Sequence, residues 1–210
     1  MFGRKNRAII TIIGLVILAV ILFFTGNPVK NKITVRQFNG TLLDKPRDIS
    51  LFSLTGIDGK PFTHDSLKGQ WTIIFFGFTR CGSMCPTTMA ELGKMHRLLD
   101  SQGVTPLPRV VMITLDPARD SLDKLNQYVK AFDPLFFGAR GSDSSIRAMT
   151  KELGIAYMNV TRHGSPDKTY DDIEHTGAVM LFNPKGQLAA FFTTPHQASL
   201  LADDYRLLIA

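Results

Sequence analysis

The chain has 210 residues, with 24 Lys+Arg against 18 Asp+Glu, five His, two Cys and 44% hydrophobic residues. That length supports a proper hydrophobic core, and two cysteines exclude a disulfide-stapled miniature scaffold or a four-cysteine zinc module. The net charge of +6 does not describe a nucleic-acid surface. Six basic residues (Arg4, Lys5, Arg7, Lys30, Lys32 and Arg36) precede residue 37 with no acid among them, which leaves 18 charges of each sign beyond it.

Residues Ala8 to Phe24, AIITIIGLVILAVILFF, carry no charge. At 1.5 Å per residue such a run, helped by Thr25 and Gly26, just crosses the ~30 Å hydrocarbon layer. Arg4, Lys5 and Arg7 on its N-terminal flank favour a cytoplasmic N-terminus. No small-x-small cleavage site and no lipid-accepting cysteine follows the run. The expected organisation is therefore a cytoplasmic tail and uncleaved single-pass anchor over 1–26, a polar tether over 27–46, and one domain over 47–210. The domain would lie in a bacterial periplasm, with the basic flanks near anionic headgroups.

Within the domain, Ile49 to Leu54 and Lys60 to Thr63 flank an Asp58-Gly59 turn and read as a hairpin. Thr72 to Phe78 is an apolar, β-branched run, the signature of a central strand buried on both faces. Pro86 opens a helix at about Cys85 that runs to Asp100, with Met89, Leu92, Met95 and Leu99 inward. Arg109 to Leu115 is a second buried strand. Asp120 or Ser121 caps a helix to about Phe132, and Phe136-Phe137 is a short strand. Ser142 or Asp143 caps a helix to Leu153, closed by Gly154. A strand at Ile155 to Val160 and a polar loop, Thr161 to Glu174, follow. A hairpin over Thr176 to Phe182 and Gln187 to Thr193 leads to a final helix, Ala198 to Ile209. The alternation implies α/β layering: a mixed sheet flanked by helices. A strand that hands a cysteine pair to a helix start, followed by βα and a terminal ββα, is a thioredoxin-like arrangement.

The chemistry concentrates where that central strand meets its helix. Cys81 and Cys85 stand four apart at a helix N-terminus, where unpaired amides and partial positive charge stabilise a thiolate. Such a pair closes a disulfide or clamps a soft metal. A purely stabilising disulfide is the bland alternative, and a loop this short gains little from cross-linking. A thiol-bound copper or zinc ion usually takes a third protein donor. His175 is the candidate, since it ends the acidic run Asp171-Asp172-Ile173-Glu174 and enters the penultimate hairpin, the place that packs beside the cysteine corner in a thioredoxin-like sheet. His64 sits at the hairpin exit, and His96 falls on the expected exposed side of the long helix. His163 and His196 are reserves.

These residues match a family pattern. FFGFTRCGSMCPTTM resembles the copper-binding corner of the Sco/SenC proteins, assembly factors for cytochrome c oxidase. Asp116-Pro117-x-Arg119-Asp120 and Tyr170 through Glu174-His175 are similar to that family's other signatures. The resemblance implies that Cys81, Cys85 and His175 hold copper. Copper(I) would be three-coordinate, and copper(II) would add an oxygen donor. It also implies that the protein supplies copper to, or reduces the cysteines of, the dinuclear copper site of oxidase subunit II, as a monomeric carrier rather than a turnover enzyme. The loop departs from the family's usual Cys-Pro-Asp-x-Cys-Pro in having Gly82 and Ser83. Glycine leaves it less pre-organised, and loss of the carboxylate lowers the local negative charge. Met84 offers a thioether, although a methionine there is more often packing. The competing readings are a thiol–disulfide oxidoreductase using Cys81 and Cys85 without metal delivery, a peroxidase-like reductant, and an interaction domain with an incidental disulfide. Peroxiredoxins place Thr three before the cysteine, whereas Thr79 is two before Cys81.

Overall fold

The computed structural model describes residues 37–160 and 172–209, together with Gly14, Val16 and Ile17, which are helical. The expected anchor, Ala8 to Phe24, otherwise lies outside the described residues. Among the described residues no helix is long and apolar enough to cross a membrane. The chain divides into two compact units, Met1–Arg36 and Gln37–Ala210.

The second unit contains β1 (Thr41–Arg47), β2 (Ser53–Gly56), β3 (Pro61–Thr63), β4 (Thr72–Gly77), α1 (Met84–Ser101), β5 (Arg109–Thr114), α2 (Leu122–Lys130), β6 (Phe137–Arg140), α3 (Asp143–Leu153), β7 (Tyr157–Val160), β8 (Asp172–His175), β9 (Val179–Phe182), β10 (Leu188–Phe192) and α4 (Ala198–Ile209). An eight-stranded mixed sheet runs β1-β10-β9-β4-β5-β6-β2-β3, and β7 and β8 form a separate antiparallel pair. Strand β4 is parallel to β5 and antiparallel to β9, and all six of its residues are buried. This is the mixed α/β, thioredoxin-like layering expected from the sequence.

Helix α1 buries Cys85, Thr88, Met89, Leu92, Met95, His96 and Leu99, a stripe at three- and four-residue spacing, and packs against α4. Its register corrects one expectation: His96 is 5% exposed rather than solvated. Helix α1 is covered on that side by the segment after α2, where Asp133 meets His96 Nδ1 at 3.2 Å and Phe136 packs edge-on to the imidazole. A buried imidazole with a carboxylate partner is satisfied there. The helix caps follow their sequence signals. Ser121 and Ser142 accept the amides of Lys124 and Ser145, and Gly154 closes α3 at φ +72°.

Residues 41–47, read from the sequence as the end of a tether, instead pair antiparallel with β10 at the sheet edge. The cause is tertiary. The carboxylate of Asp204, fully buried on α4, accepts the amides of Asn39 and Gly40 at 2.9–3.0 Å and the Asn39 side chain at 2.8 Å. Charged residues and a proline suit an exposed edge strand, and they hid this one in the sequence. The expected polar loop is shorter than its sequence suggests, because Asp172–His175 form β8, paired with β7. The rest of that loop, 161–171, lies outside the described residues, and with it His163, Tyr170 and Asp171.

A second buried carboxylate fixes the approach to the cysteines. Asp120, fully buried at the entrance to α2, accepts the Thr79 amide at 3.0 Å, the Thr79 hydroxyl at 2.5 Å and the Thr114 hydroxyl at 2.6 Å. It thereby ties the end of β4, the end of β5 and the start of α2 together, two residues before Cys81. Replacing Asp120 with Ala strands three donors, the buried Thr114 hydroxyl and the part-buried Thr79 amide and hydroxyl. The expected loss is about 3 kcal/mol, from about 1–3 kcal/mol per unsatisfied group. Urea unfolding of wild type and Asp120→Ala checks this, and an unchanged midpoint would refute the anchoring role.

Candidate metal centre

The site is built by three segments that the sheet makes neighbours. Strand β4 ends at Gly77, and a short loop carries Phe78, Thr79, Arg80 and Cys81 over its end. Gly77 lies against the site, since a Cβ there would stand 3.1 Å from Cys85 Sγ and closer still to the Phe75 ring. Helix α1 then starts at Met84, which places Cys85 in its first turn, fully buried, while Cys81 stays half-exposed before it. Strand β9 lies beside β4, so the chain entering β9 returns across the same end of the sheet and delivers His175.

One donor atom from each of Cys81, Cys85 and His175 lies within 4.8 Å of the others. His175 Nε2 is 3.3 Å from Cys85 Sγ. His175 Nδ1 is 3.1 Å from the Thr176 carbonyl oxygen. A carbonyl only accepts, so Nδ1 carries the proton and the Nε2 lone pair faces the thiols. The rings of Phe75 and Phe78, each 6.0 Å from the imidazole between centroids, wall it on two sides. Two thiols and a correctly turned imidazole, with aromatic walls limiting water, form a donor set that suits a soft ion of low coordination number.

The two thiols are electrically unlike. The Cys85 amide donates to Cys81 Sγ at 3.3 Å. The Cys81 thiol is held well below its ordinary value, first by its hydrogen bond with Cys85, against the opposing effect of burial, and further by the Cys85 and Ser83 amides. The Cys85 thiol is pushed up, first by its hydrogen bond with Cys81 and then by burial. One proton between two sulfurs therefore resides on the buried Cys85, and the charge sits on the accessible Cys81 at the amide-rich mouth of α1.

Other candidates sort themselves by position. Asp116 is fully buried and bound to Arg119 Nε at 2.5 Å, a structural pair under the loop. Asp172 is close enough to raise the Cys85 thiol further, whereas Glu174 is exposed on β8. His64 lies against the turn at Gly186, away from the thiols. Tyr128 on α2 was not singled out by the sequence. Among the described residues its hydroxyl is buried without a hydrogen-bond partner, and its phenol is pushed up, first by burial and then by the neighbouring thiols. No motif marks it, because only the packing of α2 brings it near the sulfurs.

The thiol asymmetry has a direct readout. In reduced protein, limited iodoacetamide at pH 6 is expected to label Cys81 before Cys85. The Cys81 rate should stay nearly flat from pH 5 to 8, where an ordinary thiol gains about tenfold per unit. Peptide mapping by mass spectrometry checks the order, and preferential labelling of Cys85 would contradict it.

Residues 42–210 match the SCO1/SenC family. The Arabidopsis thaliana protein named Protein SCO1 homolog 1, mitochondrial, is 31% identical over 175 residues, covering 83% of this chain and half of that one. The crystal structure of Arabidopsis thaliana ScoI with copper bound superposes with a TM-score of 0.68 at 29% identity, covering 76% of this chain and 96% of that one. Yeast Sco1 with copper bound gives 0.69 at 26% identity, covering 78% and 89%. A match over most of the chain, together with a dithiol–imidazole cluster at the end of the central strand, makes this protein a member of the SCO1/SenC family.

Proposed function

We propose that this chain is a copper carrier of cytochrome c oxidase assembly, with Cys81, Cys85 and His175 as its ligands. The observation that carries the reading is the 4.8 Å cluster of two thiols and an imidazole whose Nε2 lone pair is turned inward. Copper(I) favours such soft, low-coordinate donors, and relatives solved with copper bound share the fold and family. Cys81 presents its thiolate at the accessible mouth, and Cys85 and His175 close the site from the buried side. Release to a recipient then proceeds by exchange of donors, starting at the more accessible Cys81. The recipient we infer is the dinuclear copper site of oxidase subunit II. Ala8 to Phe24 would anchor the protein in a bacterial inner membrane, with tail and anchor over 1–26 and the domain on the periplasmic side. Its length, lack of charge and basic N-terminal flank support that reading. Because residues 37–47 pack onto the domain, the tether would end near residue 36.

A second reading has its own observation. A low-pKa accessible thiol beside a buried, protonated partner is the layout of a dithiol that reduces a target disulfide. Cys81 would attack one target sulfur, forming a mixed disulfide and expelling the other as a thiolate. Cys85, on giving up its proton, would then attack Cys81, closing the intramolecular disulfide and releasing the reduced target. The acceptor would be the cysteine pair of the recipient, so both readings converge on one partner.

The test is a copper(I) titration of the reduced full chain against a competing chelator, beside His175→Ala. One tight equivalent in wild type, weakened at least about tenfold by the substitution, is expected for loss of one of three donors. Equal affinities would remove His175 from the site. No competitive binding in wild type would sink the carrier reading in favour of the dithiol reductant.

A further inference from the structure

His196 is the second imidazole near this corner. It lies after β10, just before α4, and its Nε2 is 2.7 Å from the Gly177 carbonyl oxygen. The carbonyl accepts, so Nε2 carries the proton and the lone pair is on Nδ1. That Nδ1 is buried and has no hydrogen-bond partner among the described residues. Burial also holds the imidazolium below its ordinary value, against weaker opposing effects of the Gly177 carbonyl and Glu91, so the ring is neutral at neutral pH. His175 is held by the same device, its own ring N–H donating to the carbonyl of Thr176. Two successive carbonyls thus orient two imidazoles, each with one lone pair left over. An N–H fixed by a carbonyl while the other ring nitrogen stays free is the usual orientation of a metal-ligating histidine.

A soft donor lines the same cavity as His196. Position 177 is glycine, and any Cβ on it would collide with Met84 Sδ and with the Thr194 methyl. The thioether is therefore laid directly across the Gly177 backbone whose carbonyl holds His196. Met84 and His196 line one cavity of about 300 Å³, with Ser83, Thr87 and Thr194 among its other walls. Met84 immediately precedes Cys85, and Gly177 is two residues past His175. The cavity consequently adjoins the dithiol–imidazole centre through Met84 at the start of α1 and through the Gly177 carbonyl that holds His196. Among the described residues its lining offers a thioether, an imidazole, hydroxyls and Pro195, with no carboxylate or thiol. Neutral soft donors select a monovalent soft ion over a hard or divalent one.

We propose that Met84 Sδ and His196 Nδ1 form a second, weaker donor pair for copper(I), a transfer station beside the dithiol–imidazole centre. This rests on the copper-carrier reading for the identity of the ion. Both donors are neutral lone pairs, so occupation of the station displaces no proton and changes no oxidation state. Gly177 is the positioning residue: its missing side chain lets the thioether reach the cavity. Transit is then a donor exchange between the neutral pair and the thiols.

The experiment uses the reduced full chain in detergent, labelled with 13C at the methionine methyls, and silver(I) as a redox-inert probe of copper(I) sites. The first equivalent is expected to go to the thiols and the second to shift the Met84 methyl resonance, assigned with Met84→Leu. His196→Gln keeps a donor for the Gly177 carbonyl and removes the ring lone pair. It should weaken the second equivalent about tenfold or more while leaving the first within about twofold, as for loss of one donor at a separate site. Met84→Leu should do the same. A Met84 methyl that ignores the second equivalent, or that shifts equally in His196→Gln, would overturn the proposal. Silver that shifts the Met84 methyl without ever occupying the thiols would instead sink the dithiol centre and leave the donor pair standing.

Discussion

Strand β4 lies between β5 and β9, and the chemistry of this protein depends on that neighbourhood. The strand is buried on both faces, so its C-terminal end is held firmly in the sheet. Whatever follows it, and whatever precedes its antiparallel neighbour β9, must meet at that edge. Cys85 and His175 are 90 residues apart in sequence and 3.3 Å apart in space for this reason. The site is a consequence of strand order, and any register shift of β9 against β4 would carry the imidazole away from the sulfurs.

Around that edge, buried carboxylates act as fasteners. Asp120 gathers Thr79 and Thr114, which holds the loop before Cys81 to the start of α2. Asp204 gathers Asn39 and Gly40, which draws the N-terminal segment onto α4 and lets β1 complete the sheet edge. Asp133 satisfies the buried His96. In each case a charge in the interior is tolerated because donors surround it, and each carboxylate joins segments that the sequence separates. Among the described residues the loop from Cys81 to Ser83 has no comparable carboxylate fastener, and Gly82 and Ser83 are exposed. Its order comes from its ends, at Thr79 and at the first turn of α1.

The same corner separates functions by hydrogen bonding and burial. One helix amide and one neighbouring thiol concentrate negative charge on Cys81, while burial keeps the proton on Cys85. Two adjacent peptide carbonyls, Thr176 and Gly177, fix two imidazoles in orientations that leave a single lone pair on each. An accessible thiolate, a protonated buried thiol, one inward-facing imidazole and one unused imidazole thus follow from backbone geometry. None of them needs a metal to be in place beforehand.

Much of this was determined by the sequence itself. The apolar run Thr72 to Phe78, the proline after Cys85, the serine caps at 121 and 142 and the glycine at 154 are local signals, and α1, α2, α3 and α4 stand within a few residues of where they point. The cysteine pair and its helix were equally legible, because spacing and secondary structure are local properties. The meeting of His175 with the thiols was legible through the thioredoxin-like pattern of strands and through the family resemblance around Glu174-His175. What tertiary structure alone decided are the features that depend on distant partners. They are the edge strand β1, hidden by its charges and proline until Asp204 and β10 hold it; the burial of His96, which awaited Asp133; the role of Asp120, which joins Thr79 and Thr114 while Ser121 caps α2; and the division of charge between Cys81 and Cys85. A pKa, a buried ion pair or an edge pairing is set by what lies across space, and one strand's residues do not encode the identity of their neighbours.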